Sequence, residues 1–164
     1  MIKKDKNQKG IGMVEVIVGL AVIAVTFWAF FELARYNLKI QEQSRLKIEA
    51  LSLATEAIEA TRSVRDEDWT NIDSLVFGTR YYPIISGGGV NKWTLNSTDP
   101  GPVNGVYDRW IIAERVFRDG NDDIAAAGVE DTETRKITII VEWSDHGTIK
   151  DITLTSYLTS WTTD

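Results

Sequence analysis

The amino-acid sequence predicts an α+β fold in which a long N-terminal helix packs on an antiparallel β-sheet. Three observations predict it. An apolar run of 21 residues begins at residue 11, a segment of helix-forming residues without Gly or Pro follows, and apolar and polar residues alternate in the C-terminal third. The 164 residues suffice for one domain with an appendage.

The N-terminal segment is typical of a basic leader followed by a membrane span. Residues 1–10 carry four lysines and one aspartate, and residues 11–31 contain Glu15 as their single charge. About 20 apolar helical residues cross the core of a bilayer, and lysines before such a helix hold that end in the cytoplasm. We therefore expect a transmembrane half of the helix over 11–35, with the leader inside and the bulk of the chain outside.

A cleaved secretory signal peptide is the alternative interpretation of this run. Such a signal has an apolar core of about 7–15 residues and ends at small residues. Ala21 and Ala24 offer small residues, but the run is longer than such a core and continues into the bulky residues 27–31. The sequence therefore favours a membrane span.

The helix is expected to continue beyond this span. Residues 32–65 contain neither Gly nor Pro and are rich in Ala, Leu, Glu, Lys and Gln, which favour helix. We expect one helix over about 12–65, whose amphipathic half, 36–65, packs on its own domain rather than forming a homomeric coiled coil. Apolar residues at spacings of four and three mark the packing face: Leu46, Ala50, Leu53, Ala57, Ala60 and Val64.

The remainder, 66–164, is expected to form a globular head whose first part is irregular. Gly, Pro, Asp and Asn punctuate residues 66–105, where 74–77 and 81–85 are expected as brief strands. Two aromatic side chains are expected to anchor this part to the core: Trp69 and Trp93.

Three strands are predicted in the C-terminal third. Segments 106–118 and 137–143 have strand patterns, and a Gly-containing turn over 144–148 makes the strand after it antiparallel. The apolar face of this sheet needs a cover, which the amphipathic half of the helix can supply. The last strand carries on one face Ile152, Leu154, Ser156 and Leu158.

Composition excludes most catalytic and metal chemistry. The chain has no cysteine and one histidine, His146, so thiolate sites, cysteine nucleophiles and multi-histidine metal sites are excluded. The 18 basic against 24 acidic residues give a net charge of −6, which disfavours binding to nucleic acid. We expect a protein without enzymatic activity, cofactor, resident metal or catalytic residue, and we interpret His146 as a turn residue.

One acidic segment is compatible with two interpretations. Asp119, Asn121, Asp123 and Glu130 occupy positions 1, 3, 5 and 12 of an EF-hand calcium loop. Position 6, which should be Gly, is Ile124, and the flanking residues are typical of strands rather than helices. A solvated acidic loop between strands is therefore favoured, and calcium binding stays open.

The apolar run opens with residues that resemble the class III signal of the type IV pilin superfamily. In residues 9–18, KGIGMVEVIV, Gly10 takes the −1 position, Ile11 the +1 position and Glu15 the +5 position of that signal. Ile11 stands where the family most often has Phe, and the cysteines of the pilin C-terminal disulfide loop are absent. The resemblance implies cleavage between Gly10 and Ile11 by a prepilin peptidase, N-methylation of Ile11, and a role of Glu15 in assembly.

The C-terminal strands resemble those of minor subunits of this superfamily. Residues 135–143 and 153–158 are similar to the type IV pilus modification group (minor pilin V) and to minor pseudopilin I of type II secretion. This implies a structural subunit that leaves the cytoplasmic membrane with other pilins and helps to initiate a pilus, a secretion pseudopilus or a competence fibre. The alternative function is a tip adhesin that binds through the irregular region around Trp93.

Overall fold

The computed structural model describes residues 12–87 and 91–160 and has the expected α+β class. The chain divides into two structural units, one up to Ser44 and one from Arg45 onward. The elements are α1 (Met13–Glu67), α2 (Thr70–Asp73), β1 (Arg80–Gly87), β2 (Asn91–Asn96), β3 (Tyr107–Arg118), β4 (Ile124–Ala125), β5 (Val129–Asp145) and β6 (Thr148–Thr159).

Helix α1 confirms the prediction of one helix over about 12–65. No Gly or Pro occurs between Gly19 and the end of α1, so nothing in the sequence interrupts its backbone hydrogen bonds. The chain turns just after Glu67, where the Asp68 carboxylate accepts hydrogen bonds from the Thr70 amide at 2.9 Å and hydroxyl at 2.8 Å. These two bonds hold the pKa of Asp68 below its usual value.

The sheet is antiparallel and runs in the order β2-β1-β3-β5-β6, with β4 added at one end of β3. Strands β5 and β6 meet in a two-residue turn, His146-Gly147, in which φ is 50° and 80°. Positive φ at both positions is the type I′ hairpin geometry, which suits the twist of antiparallel strands. His146 is therefore the turn residue that the sequence predicted.

The core lies between the second half of α1 and one face of the sheet. The predicted helix stripe is buried from Ala50 onward, with Ala50 and Ala57 fully enclosed and Leu53 nearly so, whereas Leu46 at its start is partly buried. They belong to one apolar cluster with sheet residues that include Ile139 and Val141. Alanines at this contact let the helix backbone approach the sheet closely, and β5 contributes Ile137, Ile139 and Val141 to the core.

Three details differ from the sequence-based expectation. Residues 74–77 form turns instead of a strand, because the Ser74 amide bonds to Thr70 O at 3.0 Å and the Leu75 amide to Ile72 O at 3.2 Å. The expected strand at 81–85 lies within β1, but its hairpin partner β2 was not predicted. Strand β5 begins at Val129, well before 137, since it pairs with the end of β3 across a bulge at 132–134.

Candidate functional site

Glu15 lies in the first turn of α1. The helix begins at Met13, and the Glu15 amide bonds to Gly12 O at 2.9 Å, so the carboxylate sits at the N-terminal end of the apolar segment. Gly10 and Ile11 lie outside the described residues, and the expected cleavage and methylation there stay predictions. Glu15 is the only charged residue between Gly12 and Phe31.

The segment after Glu15 presents apolar side chains on every side. An 18-residue window of α1 has a mean hydropathy of 2.3 and no buried residue, and the helix is long and apolar enough to cross a membrane. Within this segment the Thr26 hydroxyl donates hydrogen bonds to the backbone carbonyls of Val22, at 3.0 Å, and Ile23, at 2.7 Å. Such bonding within the helix is compatible with a bilayer core, where water is not available to a hydroxyl group.

In the second unit, Tyr107 joins the start of β3 to α1. Its buried ring lies against Trp143, and its hydroxyl donates to Leu46 O at 3.2 Å and contacts the Glu49 carboxylate at 3.2 Å. Burial, and then the neighbouring Glu49, raise the pKa of Tyr107. The hydrogen bond connects the start of β3 to the turn of α1 at Leu46.

A buried arginine joins three elements of the head. The Arg109 guanidinium donates to Leu53 O at 3.3 Å in α1, to Pro83 O at 3.4 Å in β1 and to the Glu56 carboxylate at 2.9 Å. It also lies 6.0 Å from the ring centroid of Trp93 in β2. The charge is thus matched by a carboxylate and two carbonyls, which a buried cation requires.

A second buried arginine holds the segment that follows α1. Arg135 pairs with Asp73 and donates to Thr134 O at 2.9 Å. Its guanidinium carbon lies 5.8 Å from the Trp69 ring and 5.4 Å from the Phe77 ring. Neither arginine was singled out from the sequence. Arg109 and Arg135 each lie two residues before an inward-facing isoleucine of the same strand, and this spacing could have revealed their burial.

The carboxylates of the acidic segment are directed to backbone amides and arginines. Asp119 accepts from the amides of Asn121 at 2.8 Å and Asp123 at 3.1 Å, which closes the turn between β3 and β4. Glu130 lies 3.5 Å from Arg115. Among residues 12–87 and 91–160, no three acidic or histidine side chains are arranged to hold a metal ion, so the EF-hand-like set is not gathered at one point.

The one histidine is also accounted for by its turn. His146 Nδ1 lies 2.6 Å from Asp145 Oδ1, and the imidazole is largely exposed at the tip of the β5–β6 hairpin. The Asp145 carboxylate orients the imidazole ring. This contact and the position of His146 at the tip of the hairpin are those of a turn residue.

A cleft of about 350 Å³ lies beside the C-terminal end of α1, between α2 and the β1–β2 hairpin. Trp93 packs against the core there, as the sequence predicted for this residue and for Trp69. The cleft itself was not predicted, since its residues come from four separate elements. It is lined by Val64, Glu67, Asn71, Ser74, Leu75, Tyr81, Lys92, Trp93, Thr94 and Leu95.

Comparison of the chain with protein-family models, with curated proteins and with solved structures gave no match. The function therefore has to be inferred from the residues and their geometry. Two features offer a basis for it: the apolar helix that carries Glu15, and the head that holds the cleft.

Proposed function

We propose that the chain is a minor subunit of a type IV pilus or of a related secretion pseudopilus. In this proposal a prepilin peptidase removes residues 1–10, and the mature chain waits in the cytoplasmic membrane before it joins other pilins. The work of the subunit is structural and requires no catalytic residue. The observation that carries the proposal is a single carboxylate, Glu15, in the first turn of a helix whose first half is apolar and exposed and whose second half is built into an α+β head.

The position of Glu15 is costly unless a partner compensates for it. A carboxylate inside a membrane segment costs about 2.5–3.5 kcal/mol on insertion scales. Cleavage after Gly10 would give Ile11 a free amine, a cation at a similar depth in a neighbouring subunit. Opposite charges about 4 Å apart attract by roughly 4 kcal/mol at an effective dielectric near 20, which offsets the insertion cost.

Pairing between subunits would also select their register. The attraction exists only where the amine of one subunit and the Glu15 carboxylate of the next lie at the same height. A simpler role of Glu15 is to favour the positive end of its own helix, which contributes about 0.3–1 kcal/mol. The two roles make different predictions for a variant without the charge.

Charge around the span supports the orientation in the proposal. Four lysines precede the apolar segment, which favours a leader in the cytoplasm and a head on the outer side. The head would then reach the fibre, in the periplasm or outside the cell. A displayed binding module is the second candidate function, and the cleft beside Trp93 favours it.

Mass spectrometry of the chain purified from membranes tests the processing. We expect a mature protein of 154 residues (164 minus 10) that begins at Ile11 and carries one added methyl group on its amine. An intact Met1 or a terminus just after Ala24 would contradict the proposal. Deleting the prepilin peptidase of the host should restore residues 1–10 to the purified chain.

Co-purification of the Glu15→Gln variant with its partner pilins tests the pairing. We expect processing after Gly10 to continue while recovery of partners falls about tenfold or more, because the charge is lost and the shape is kept. Glu32→Gln is the matched control, since Glu32 lies on the same helix beyond the apolar run and is exposed beside Arg35 at 3.7 Å. Normal recovery of partners with Glu15→Gln would leave only the simpler role.

A further inference from the structure

The cleft beside Trp93 has an apolar side and a polar side. Val64 and Leu75 belong to the core cluster and line it together with Tyr81, Trp93 and Leu95. The polar lining comes from the turn of α2 and from the rim. Its volume of about 350 Å³ lies within the range of small-molecule sites, roughly 300–1,000 Å³, and its mixed lining is typical of them.

The rim of the cleft is electrically balanced. Glu67 at the end of α1 pairs with Lys92 of β2, and both side chains are about half exposed. The two charges cancel, so the rim gives neither an anionic nor a cationic ligand a net electrostatic attraction. The pair therefore offers a hydrogen-bond acceptor and a donor to a ligand without net charge.

Two polar groups of the lining have capacity for a ligand. Asn71 donates through its amide nitrogen to Val64 O at 3.3 Å, and no described residue donates to its amide oxygen. Ser74 also lines the cleft, and its hydroxyl has no hydrogen-bond partner within the described part of the chain. Each can accept or donate in the direction of a bound molecule.

Trp93 provides a ring that is held in place. It is half-buried, and the Arg109 guanidinium lies 6.0 Å from its centroid. Arg109 is itself held by Leu53 O and Pro83 O, and the Trp93 ring also packs against the core, which restricts its movement before a ligand binds. A flat ligand face can pack on such a ring while its edge reaches polar groups.

We propose that this cleft binds a neutral saccharide. A pyranose has an apolar C–H face for the indole, hydroxyl groups for Asn71 and Ser74, and no net charge at the Glu67–Lys92 rim. The proposal goes beyond fibre assembly, because residues of one chain form the whole cleft. It would give the second candidate function, a displayed binding module, its ligand.

Saturation-transfer NMR on the full chain in phosphatidylcholine nanodiscs tests the proposal, and glycoside detergents are avoided because their head groups are saccharides. The probes are glucose, galactose, mannose and N-acetylglucosamine at up to about 10 mM. Glucose 6-phosphate and glucosamine keep the ring and add a charge. We expect transfer to at least one neutral sugar and about tenfold weaker binding of the two charged ones. No transfer to any neutral sugar, or stronger binding of a charged one, would overturn the assignment.

Two variants place the binding in the cleft. Ser74→Tyr fills the cleft and should abolish transfer, whereas Ser144→Tyr, on the exposed end of β5, should leave it unchanged. Trp93→Phe keeps an aromatic side chain in the core and should weaken binding about tenfold. This variant tests the location of the site if Ser74→Tyr lowers the melting temperature, which would show that it disturbs the fold. Binding that survives in Trp93→Phe and in a folded Ser74→Tyr lies elsewhere and refutes the proposal. Recovery of partner pilins is a separate readout, so failure of sugar binding and failure of fibre assembly can be distinguished.

Discussion

The two parts of helix α1 share one backbone conformation and differ in what surrounds their side chains. Between Met13 and Ser44 the apolar residues are exposed, whereas between Arg45 and Glu67 a stripe of them is buried against the sheet. The second part is therefore stabilised by contacts within the chain. Nothing among the described residues covers the first part, and its length and hydropathy are those of a helix that could span a membrane.

This difference predicts that the two parts respond to different changes. Substitutions at buried positions of the head should alter its unfolding and leave membrane anchoring unaffected. Substitutions in the first part should do the reverse. Pairs of matched variants, one in each part, test whether the two parts are stabilised independently.

The largest effect is expected for Leu53→Asp. Leu53 is 8% exposed in the core, so the new carboxylate would be buried without a partner and should cost about 3–5 kcal/mol. Urea unfolding of the full chain in nanodiscs, followed by near-ultraviolet circular dichroism, measures the loss. Leu51→Asp, two residues away and 46% exposed, and Leu38→Asp in the first part should leave the transition within about 0.5 kcal/mol. An unchanged transition in Leu53→Asp would mean that the stripe does not pack on the sheet.

A smaller loss is expected for Gly128→Ala. Gly128 has φ of 153°, and a Cβ there would lie 2.0 Å from the carbonyl oxygen of Arg118, so the backbone of the β3–β5 connection would have to shift. We expect about 1–3 kcal/mol of destabilisation in the same urea assay. The matched change in the first part is Gly19→Ala, which has open space around it and should not weaken the head. Equal stability of Gly128→Ala and the parent would contradict this close approach.

Arg109→Met tests the junction of α1 with β1 and β3. The change removes the donor to two buried carbonyls, Leu53 O and Pro83 O, and should cost about 1–2 kcal/mol, since Met fills part of the space. Arg35→Met, at an exposed ion pair of the first part, should cost almost nothing. Thermal unfolding of both variants gives the comparison. A similar melting temperature for the two would show that Arg109 does not join the elements.

The sequence predicted those features of the fold that depend on local pattern. Helix α1 follows from the absence of helix breakers and from spacings of three and four, and β3, β5 and β6 follow from alternation. Strand β2 was missed because NKWTLN is short and has only two apolar residues, Trp93 and Leu95, so its structure depends on pairing with β1. The length of β5 was missed for the same reason: residues from Val129 are strand because β3 continues beside them.

The candidate sites divide in the same way. Glu15 was found because one acid in an apolar run is visible in the sequence alone. The burial of Arg109 and Arg135 was missed, although both follow the inward-facing pattern of their strands, because their acidic partners, Glu56 and Asp73, lie more than 50 residues away along the chain. The cleft depends on four elements that only the folded head brings together. Long-range contacts of this kind leave little trace in local periodicity.

The smallest effect concerns acid stability and the pair of Asp131 and Arg118. Burial opposes ionisation of Asp131, but hydrogen bonds from Arg118, Thr134 and the Glu133 amide outweigh it and hold the pKa of Asp131 below its usual value. A carboxyl whose pKa is lowered by folding stabilises the head above its unfolded pKa of about 3.9, and this contribution is lost as the pH falls through the folded value. In Asp131→Asn the contribution is absent at every pH. We therefore expect lower stability at pH 7 and a shallower decline in stability between about pH 5 and 2.

Urea unfolding at a series of pH values measures this slope. Glu32→Gln is the control from the first part of α1, since it removes an exposed carboxylate that contributes nothing to the head, and its pH profile should match that of the parent. A parallel profile in Asp131→Asn would mean that Asp131 ionises alike in the folded and unfolded chain, and that the turn between β3 and β5 is held by its backbone alone. A shallower profile confined to Asp131→Asn would add ion pairing to the interactions that stabilise the head from within, in contrast to a first part that depends on its surroundings.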